Sequence, residues 1–264
     1  VLMKYYLGGQ FIYQKVPSQC DKYEMDKTTC GHWQTSRQEG FQALVMEMRG
    51  NITEMPEALA EYCKGEMMDG DNKIECEVCV TKKDTVRRTC IDHLPNSLIL
   101  HLKRFDLDFQ TFQVVKLNGR MAFPRLLNMY PYTRKGIEAA DRQRAQEVGS
   151  ASPGKSPARM GLRYEAEEDN EEEEDIAVDM DDYMYELQGV LVHSGVAQGG
   201  HYYSFAKGKK SAEGDDQWYL FDDEDVSVFD ASELEGQCFG GPQVSAHTGK
   251  VIEGDRSRNA LMLF

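Results

Sequence analysis

No apolar run in the 264 residues approaches the roughly 20 needed for a helix to span a bilayer. The opening Val1-Leu2-Met3-Lys4 also lacks the charged-then-apolar layout of a secretory signal. These two absences predict an intracellular protein, cytoplasmic or nuclear, with no membrane partner. An initiator Met is missing as well, so the chain is expected to be a fragment. Basic charge is scarce: 30 Lys and Arg face 45 Asp and Glu, for a net charge of −15. A phosphate backbone requires a basic surface, so nucleic acid is not an expected partner. Internal repeats and Gly-rich phosphate loops are lacking too. The seven cysteines are an odd number spread along a long chain. They suit a reducing compartment, where thiols bind metal, pack or react, better than a secreted disulfide framework.

What is present is a globular composition, 41% hydrophobic, 10% aromatic and 28% charged, interrupted once. Twelve acidic and no basic residues lie between Glu165 and Asp182, and a Ser, Gly and Pro-bearing stretch at Gly149 to Pro157 precedes them. A block of like charge cannot bury enough apolar surface to offset the entropy of ordering. Residues 135–182 are therefore expected to be a disordered acidic insertion. Strand patterns lie on both sides of it: Ser97 to Phe105, Leu187 to His193, Gly200 to Phe205, Gln217 to Phe221 and Ala260 to Phe264. Thr53 to Cys63 carries Met55, Leu59 and Tyr62 at helical spacing. The flanks should build one α+β body from which the insertion loops out.

Two constellations carry chemistry. Cys76-Glu77-Val78-Cys79 has the spacing that lets two thiolates reach one tetrahedral zinc ion, and Cys30-Gly31-His32 offers two further ligands. Cys20 or Cys90 could replace His32. A site closed by four protein ligands would be structural. The second constellation is Gly199-Gly200-His201-Tyr202-Tyr203-Ser204-Phe205, followed by Trp218-Tyr219-Leu220-Phe221-Asp222-Asp223. If the two are antiparallel neighbours with Phe205 facing Trp218, His201 faces Asp222. A slip of one residue would bring Asp223 to that face instead. A histidine held by a carboxylate is a base in need of a nucleophile or a metal. The two glycines before it leave backbone open to close approach of an extended peptide.

These last two segments resemble the histidine box of the ubiquitin-specific proteases, the papain-like cysteine deubiquitinases. Leu94-Pro95-Asn96-Ser97-Leu98-Ile99-Leu100-His101-Leu102-Lys103-Arg104-Phe105, Val190-Leu191-Val192-His193-Ser194-Gly195 and Gln237-Cys238-Phe239-Gly240-Gly241 are similar to further blocks of that family. Phe123-Pro124 and Met129-Tyr130-Pro131-Tyr132-Thr133, followed by an acidic insertion, are most like the large subfamily related to fat facets. The resemblance implies a papain-like fold of palm, fingers and thumb. Zinc-bearing fingers would fall at about 8–93, with the palm at about 94–134 and 183–264. It also implies hydrolysis of the isopeptide bond after the C-terminal Gly-Gly of ubiquitin. His201 would be the general base, Asp222 would hold its tautomer, and Asp223 would be a supporting or oxyanion-side residue. Zinc at the fingertip and ubiquitin as partner follow from the same resemblance. Two departures stand out. Lys27 occupies a position where the family's first knuckle has a cysteine, which leaves His32 as the choice of ligand. No segment matches the Asn-x-Gly-x-Thr-Cys-Tyr box that holds the family's nucleophile. The chain is thus expected to supply the fingers and palm without the thumb, and base and orienter without the nucleophile. The alternative is a catalytically inactive ubiquitin-binding module.

Overall fold

The computed structural model describes residues 6–17, 34–48, 50–76, 80–150, 179–208, 217–244 and 251–264. In chain order the first strands and helix are β1 (Gly9–Pro17), β2 (Gln34–Phe41), β3 (Leu44–Glu47), α1 (Met55–Cys63), β4 (Glu66–Met68), β5 (Ile74–Cys76) and β6 (Thr81–Lys83). Next come β7 (Thr85–His93), β8 (Leu100–Lys103), β9 (Phe105–Asp108), β10 (Gln113–Lys116), β11 (Leu126–Asn128) and α2 (Arg134–Ser150). After residue 178 follow β12 (Met184–Glu186), β13 (Gly189–Val196), β14 (Gly199–Lys207), β15 (Trp218–Asp222) and β16 (Asp225–Phe229). Helix α3 (Leu234–Cys238) and strands β17 (Pro242–Val244), β18 (Val251–Asp255) and β19 (Arg258–Leu263) complete the order.

Strands from both halves of the sequence meet in one seven-stranded sheet, ordered β16-β15-β14-β13-β19-β8-β3. A single apolar cluster spans it, joining Leu44, Leu59 and Leu102 to Val192, Phe205, Trp218 and Leu263. The two flanks of the acidic segment are therefore one α+β body, strand-rich with few helices. A second sheet, β2-β1-β7-β4, is built from residues up to and including His93 alone. Helix α1 buries Met55, Ala58, Leu59 and Cys63, the one-sided spacing expected of an amphipathic helix. Its first turn is fixed from outside, since Met55 N donates to Ala122 O at 2.8 Å. No helix among the described residues is long and apolar enough to cross a membrane.

Arg104 explains why the expected strand Ser97 to Phe105 splits into β8 and β9. Its side chain is fully buried and points at carbonyls rather than a carboxylate. Nε donates to Ala260 O at 2.6 Å, while Nη1 donates to Leu117 O and Gly119 O, both at 2.9 Å. Nη2 reaches Phe239 O at 3.5 Å. Burial pulls the guanidinium pKa down to about 10. Gly240 and Gly241 follow Phe239 with φ of 73° and 75°, and a Cβ on Gly240 would lie 2.8 Å from Asn118 O. The Cys238 to Gly241 block thus has a structural reason: it lets the chain fold tightly onto the loop that Arg104 holds.

The start of the acidic segment departs from the expectation of disorder. Residues 134–150 form α2, and Met180–Tyr183 is a 3-10 turn; residues 151–178 lie outside the described residues. Two forces order the helix. Thr133 caps it, its Oγ1 accepting from Gly136 N at 3.2 Å. Its inner face is then anchored on β1 and β7. Arg88 Nη1 meets Asp141 Oδ2 at 2.6 Å, with both side chains buried. Arg88 Nε donates to Gln14 Oε1 at 2.9 Å, and Gln14 Nε2 donates to Glu138 Oε1 at 2.8 Å. Removing one member of a buried ion pair costs about 3 kcal/mol or more. Asp141→Ala is expected to lower stability by about that amount in urea unfolding. An unchanged midpoint would show that α2 is not part of the fold.

Candidate active site

His201 lies on β14 and Asp222 ends β15, and the two strands are antiparallel neighbours. The register is two residues away from the sequence-based pairing. Phe205 faces Leu220 and Lys207 faces Trp218, in place of Phe205 facing Trp218. Because side chains alternate with a period of two, this shift keeps His201 and Asp222 on one face and makes them diagonal rather than direct neighbours. A long imidazole bridges the diagonal, and His201 Nε2 is hydrogen-bonded to Asp222 Oδ1. On its other edge β15 pairs with β16, where Trp218 faces Phe229 and is buried in the core.

Asp223 begins the two-residue turn between β15 and β16 with a φ of 50°, a left-handed conformation that aspartate tolerates. Its Oδ2 stands 4.0 Å from His201 Nε2, beyond hydrogen-bond range. The imidazole pKa is raised, first by the hydrogen bond to Asp222 and further by the charges of Asp222 and Asp223. Since Nε2 is engaged by Asp222, Nδ1 is the ring atom left to accept a proton. His201 is exposed, and its ring stacks at 6.2 Å on Tyr203, the next residue on that face. The donor atoms of His201, Asp222 and Asp223 lie within 4.8 Å of one another, a spacing that would also suit a cation. The hydrogen bond to Asp222 occupies the Nε2 that a cation would use.

The two glycines differ in what they do. A Cβ on Gly199 would meet nothing within 4 Å, as expected of backbone open to a passing peptide. One on Gly200 would lie 2.4 Å from His193 Nε2 and from Ser194 O, so Gly200 is required by packing across the β13 and β14 hairpin.

Of the proposed zinc ligands, Cys30, His32 and Cys79 lie outside the described residues, as does Cys20. Cys76 is buried at the end of β5, and Val80 N donates to Cys76 O at 2.8 Å. Cys90 sits inside β7 with Sγ 3.4 Å from Gln14 Oε1. Burial pushes the thiols of Cys63 and Cys238 up to about 12 and that of Cys90 to about 11. A reactive cysteine needs exposure and a depressed pKa, and none of these three has either.

A base oriented by a carboxylate on a strand-rich scaffold is what the geometry provides, and the sequence matches the ubiquitin carboxyl-terminal hydrolases over residues 9–264. The chain belongs to that family. Among curated relatives it is 32% identical over 276 residues to the probable ubiquitin carboxyl-terminal hydrolase FAF of Drosophila melanogaster, covering 100% of this chain and 8% of that protein. Human ubiquitin carboxyl-terminal hydrolase 9Y is 34% identical over 269 residues, covering 98% of this chain and 9% of the relative. Human ubiquitin carboxyl-terminal hydrolase 24 is 36% identical over 247 residues, covering 89% and 8%. The chain thus spans less than a tenth of the length of these hydrolases. Among solved structures, the SAGA DUB module of Ubp8, Sgf11, Sus1 and Sgf73 bound to monoubiquitin shares the fold. Its TM-score is 0.59 at 20% identity, over 99% of this chain and 41% of that one. The same module bound to ubiquitin aldehyde gives a TM-score of 0.60 over 100% of this chain.

Proposed function

We propose that this chain supplies the base and its orienting carboxylate to a thiol-dependent deubiquitinase, which cleaves the bond after the C-terminal Gly of ubiquitin. The observation that carries the reading is the His201 to Asp222 hydrogen bond inside a domain of the hydrolase family. Nε2–H donates to Asp222, so the lone pair of Nδ1 is free to take the proton of a cysteine thiol. The thiolate then attacks the carbonyl, and the imidazolium returns the proton to the departing lysine amine. Water, deprotonated by the same imidazole, releases the acyl group. Asp222 holds the tautomer and stabilises the imidazolium, while Asp223 adds charge from 4.0 Å. The ubiquitin bound in the SAGA DUB module supports ubiquitin as the partner.

The nucleophile is proposed to come from outside these residues, since no box of its form occurs in the sequence and the thiols of Cys63, Cys90 and Cys238 are buried with raised pKa values. This chain alone is expected to give no turnover of a fluorogenic ubiquitin C-terminal amide. Turnover abolished by mutating one of its own seven cysteines would refute that assignment. The same observation favours the alternative of a ubiquitin-binding module. A full-length protein that binds ubiquitin without cleaving it would establish the alternative.

A structural zinc held by Cys30, His32, Cys76 and Cys79 belongs to this proposal. The buried thiol of Cys76, three positions before Cys79 in the sequence, suits the first ligand of a zinc knuckle. Metal analysis of protein purified without chelator is expected to find about one zinc per chain, lost in Cys76→Ser. Absence of zinc from the unmodified chain would remove the site.

A further inference from the structure

Lys116 closes β10 and lies opposite Phe105 of β9. Both residues of this cross-strand pair hold β13 at one point. Phe105 meets the ring of His193 edge-on at 5.2 Å, while Lys116 Nζ donates to the carbonyl of the same residue at 2.9 Å. The ammonium also reaches Gly195 O at 3.4 Å and Ser257 O at 2.5 Å. His193 and Gly195 flank Ser194, and Ser194 is the residue directly opposite His201 in the β13 and β14 ladder. On its other side, the ladder of β13 with β19 ends at the pair of Ser194 and Arg258. Lys116 therefore supplies a donor to β13 where its neighbouring strand runs out.

The His193 ring continues this support to the far side of the hairpin. It is buried, fills the space that a Cβ on Gly200 would need, and packs on Tyr202 at 4.7 Å. Gly200 and Tyr202 are the residues on either side of His201. A second tie joins the same two hairpins at the surface, where Gln198 Nε2 donates to Val114 O at 2.9 Å. The imidazole of His201 is itself exposed, so its place depends on the backbone that carries it. We propose that Lys116 is a positioning residue for the catalytic base, clamping the β9 and β10 hairpin to the β13 and β14 hairpin so that His201 meets Asp222.

The cation is expensive where it sits. Burial, and next the Arg104 guanidinium, bring the Lys116 pKa down to about 8, and the three carbonyls are what offset this cost. His193, the other titratable group beside it, is held below its ordinary value by burial and by Lys116. A substitution that kept only the aliphatic stem would preserve packing and lose the three hydrogen bonds. Lys116→Met is such a change.

The test has two arms, and only the kinetic one rests on the deubiquitinase reading. In this chain, NMR titration of the His201 imidazole is expected to give a midpoint above 6.5, moving toward 6.5 in Lys116→Met as the contact with Asp222 loosens. In the full-length protein, Lys116→Met is expected to lower kcat about 10²-fold with KM unchanged, the effect of a base displaced by about 1 Å. Lys116→Arg, which can still reach carbonyls, is expected to restore most of the loss. An unmoved titration and an unchanged kcat in a folded Lys116→Met overturn the proposal. If that variant loses its fold, Gln198→Ala cuts only the exposed tie. A smaller shift in the same direction supports the clamp, and none overturns it. Lack of turnover in the unmodified full-length protein counts against the deubiquitinase reading alone, because the imidazole titration does not depend on it.

Discussion

In the full-length protein, His201→Ala is expected to reduce kcat for a ubiquitin C-terminal amide by about 10⁴-fold or more, by analogy with other nucleophile and base pairs. Two losses combine. Without Nδ1 the thiol is left protonated at neutral pH, and the leaving amine has no acid to protonate it. KM is expected to change little, because His201 is exposed on the surface of β14. The magnitude separates catalysis from architecture. An exposed histidine with a purely structural role costs well under a factor of ten when truncated, whereas a base that acts with a nucleophile costs nearly the whole of their shared effect. Steady-state kinetics with a fluorogenic ubiquitin amide measure the difference, and a variant that keeps most of its kcat would remove His201 from the mechanism.

Arg104→Met should produce the largest change in stability. The substitution is similar in length and removes the charge, but it takes the guanidinium donor away from the carbonyls of Ala260, Leu117 and Gly119, while Phe239 O keeps its bond from Met121 N. A buried polar group stripped of its partner costs about 1–3 kcal/mol, so with some relaxation the total loss is about 3–5 kcal/mol. For a domain of this size that lowers the melting temperature by roughly 10 °C. Arg104→Lys should not rescue it, since one ammonium cannot reproduce the planar fork that serves three separate segments. Thermal and urea unfolding of this chain measure the effect; a melting temperature within about 2 °C of the unmodified chain would contradict this account of Arg104.

Much of the site is legible in the sequence because its signals are local. Gly199 to Phe205 and Trp218 to Asp223 are two short runs of alternating, aromatic-rich pattern, and both become strands of one antiparallel pair. The expected pairing is displaced by two residues, yet Asp222 still shares a face with His201 and is hydrogen-bonded to it, because an even shift preserves the face on which each side chain stands. An odd shift would have exchanged Asp222 for Asp223. The family resemblance, read from several separated blocks, was a stronger signal than any single pairing.

Other features needed partners that are distant in the sequence. Arg104 looks like an ordinary polar residue at a strand end; its role depends on carbonyls 13 to 156 residues away. Lys116 likewise acts on residues 77 to 141 positions along the chain. Helix α2 was hidden by an average: the acidic run from Glu165 dominates the composition of 135–182, while Ile137 to Ala145 holds good helix formers and the buried Asp141. The capping threonine at Thr133 was the available signal. Tertiary anchoring through Arg88 and Gln14, which no local pattern reveals, then decides in favour of order.

The most direct test of the central claim uses full-length protein and ubiquitin bearing an electrophile at its C-terminus. Covalent capture reports thiolate formation without requiring later steps. The expected result is one ubiquitin adduct on a cysteine outside these 264 residues, formed rapidly in the unmodified protein and at least about 10²-fold more slowly in His201→Ala. An adduct rate indifferent to His201→Ala, or no adduct on a protein that binds ubiquitin, would contradict it.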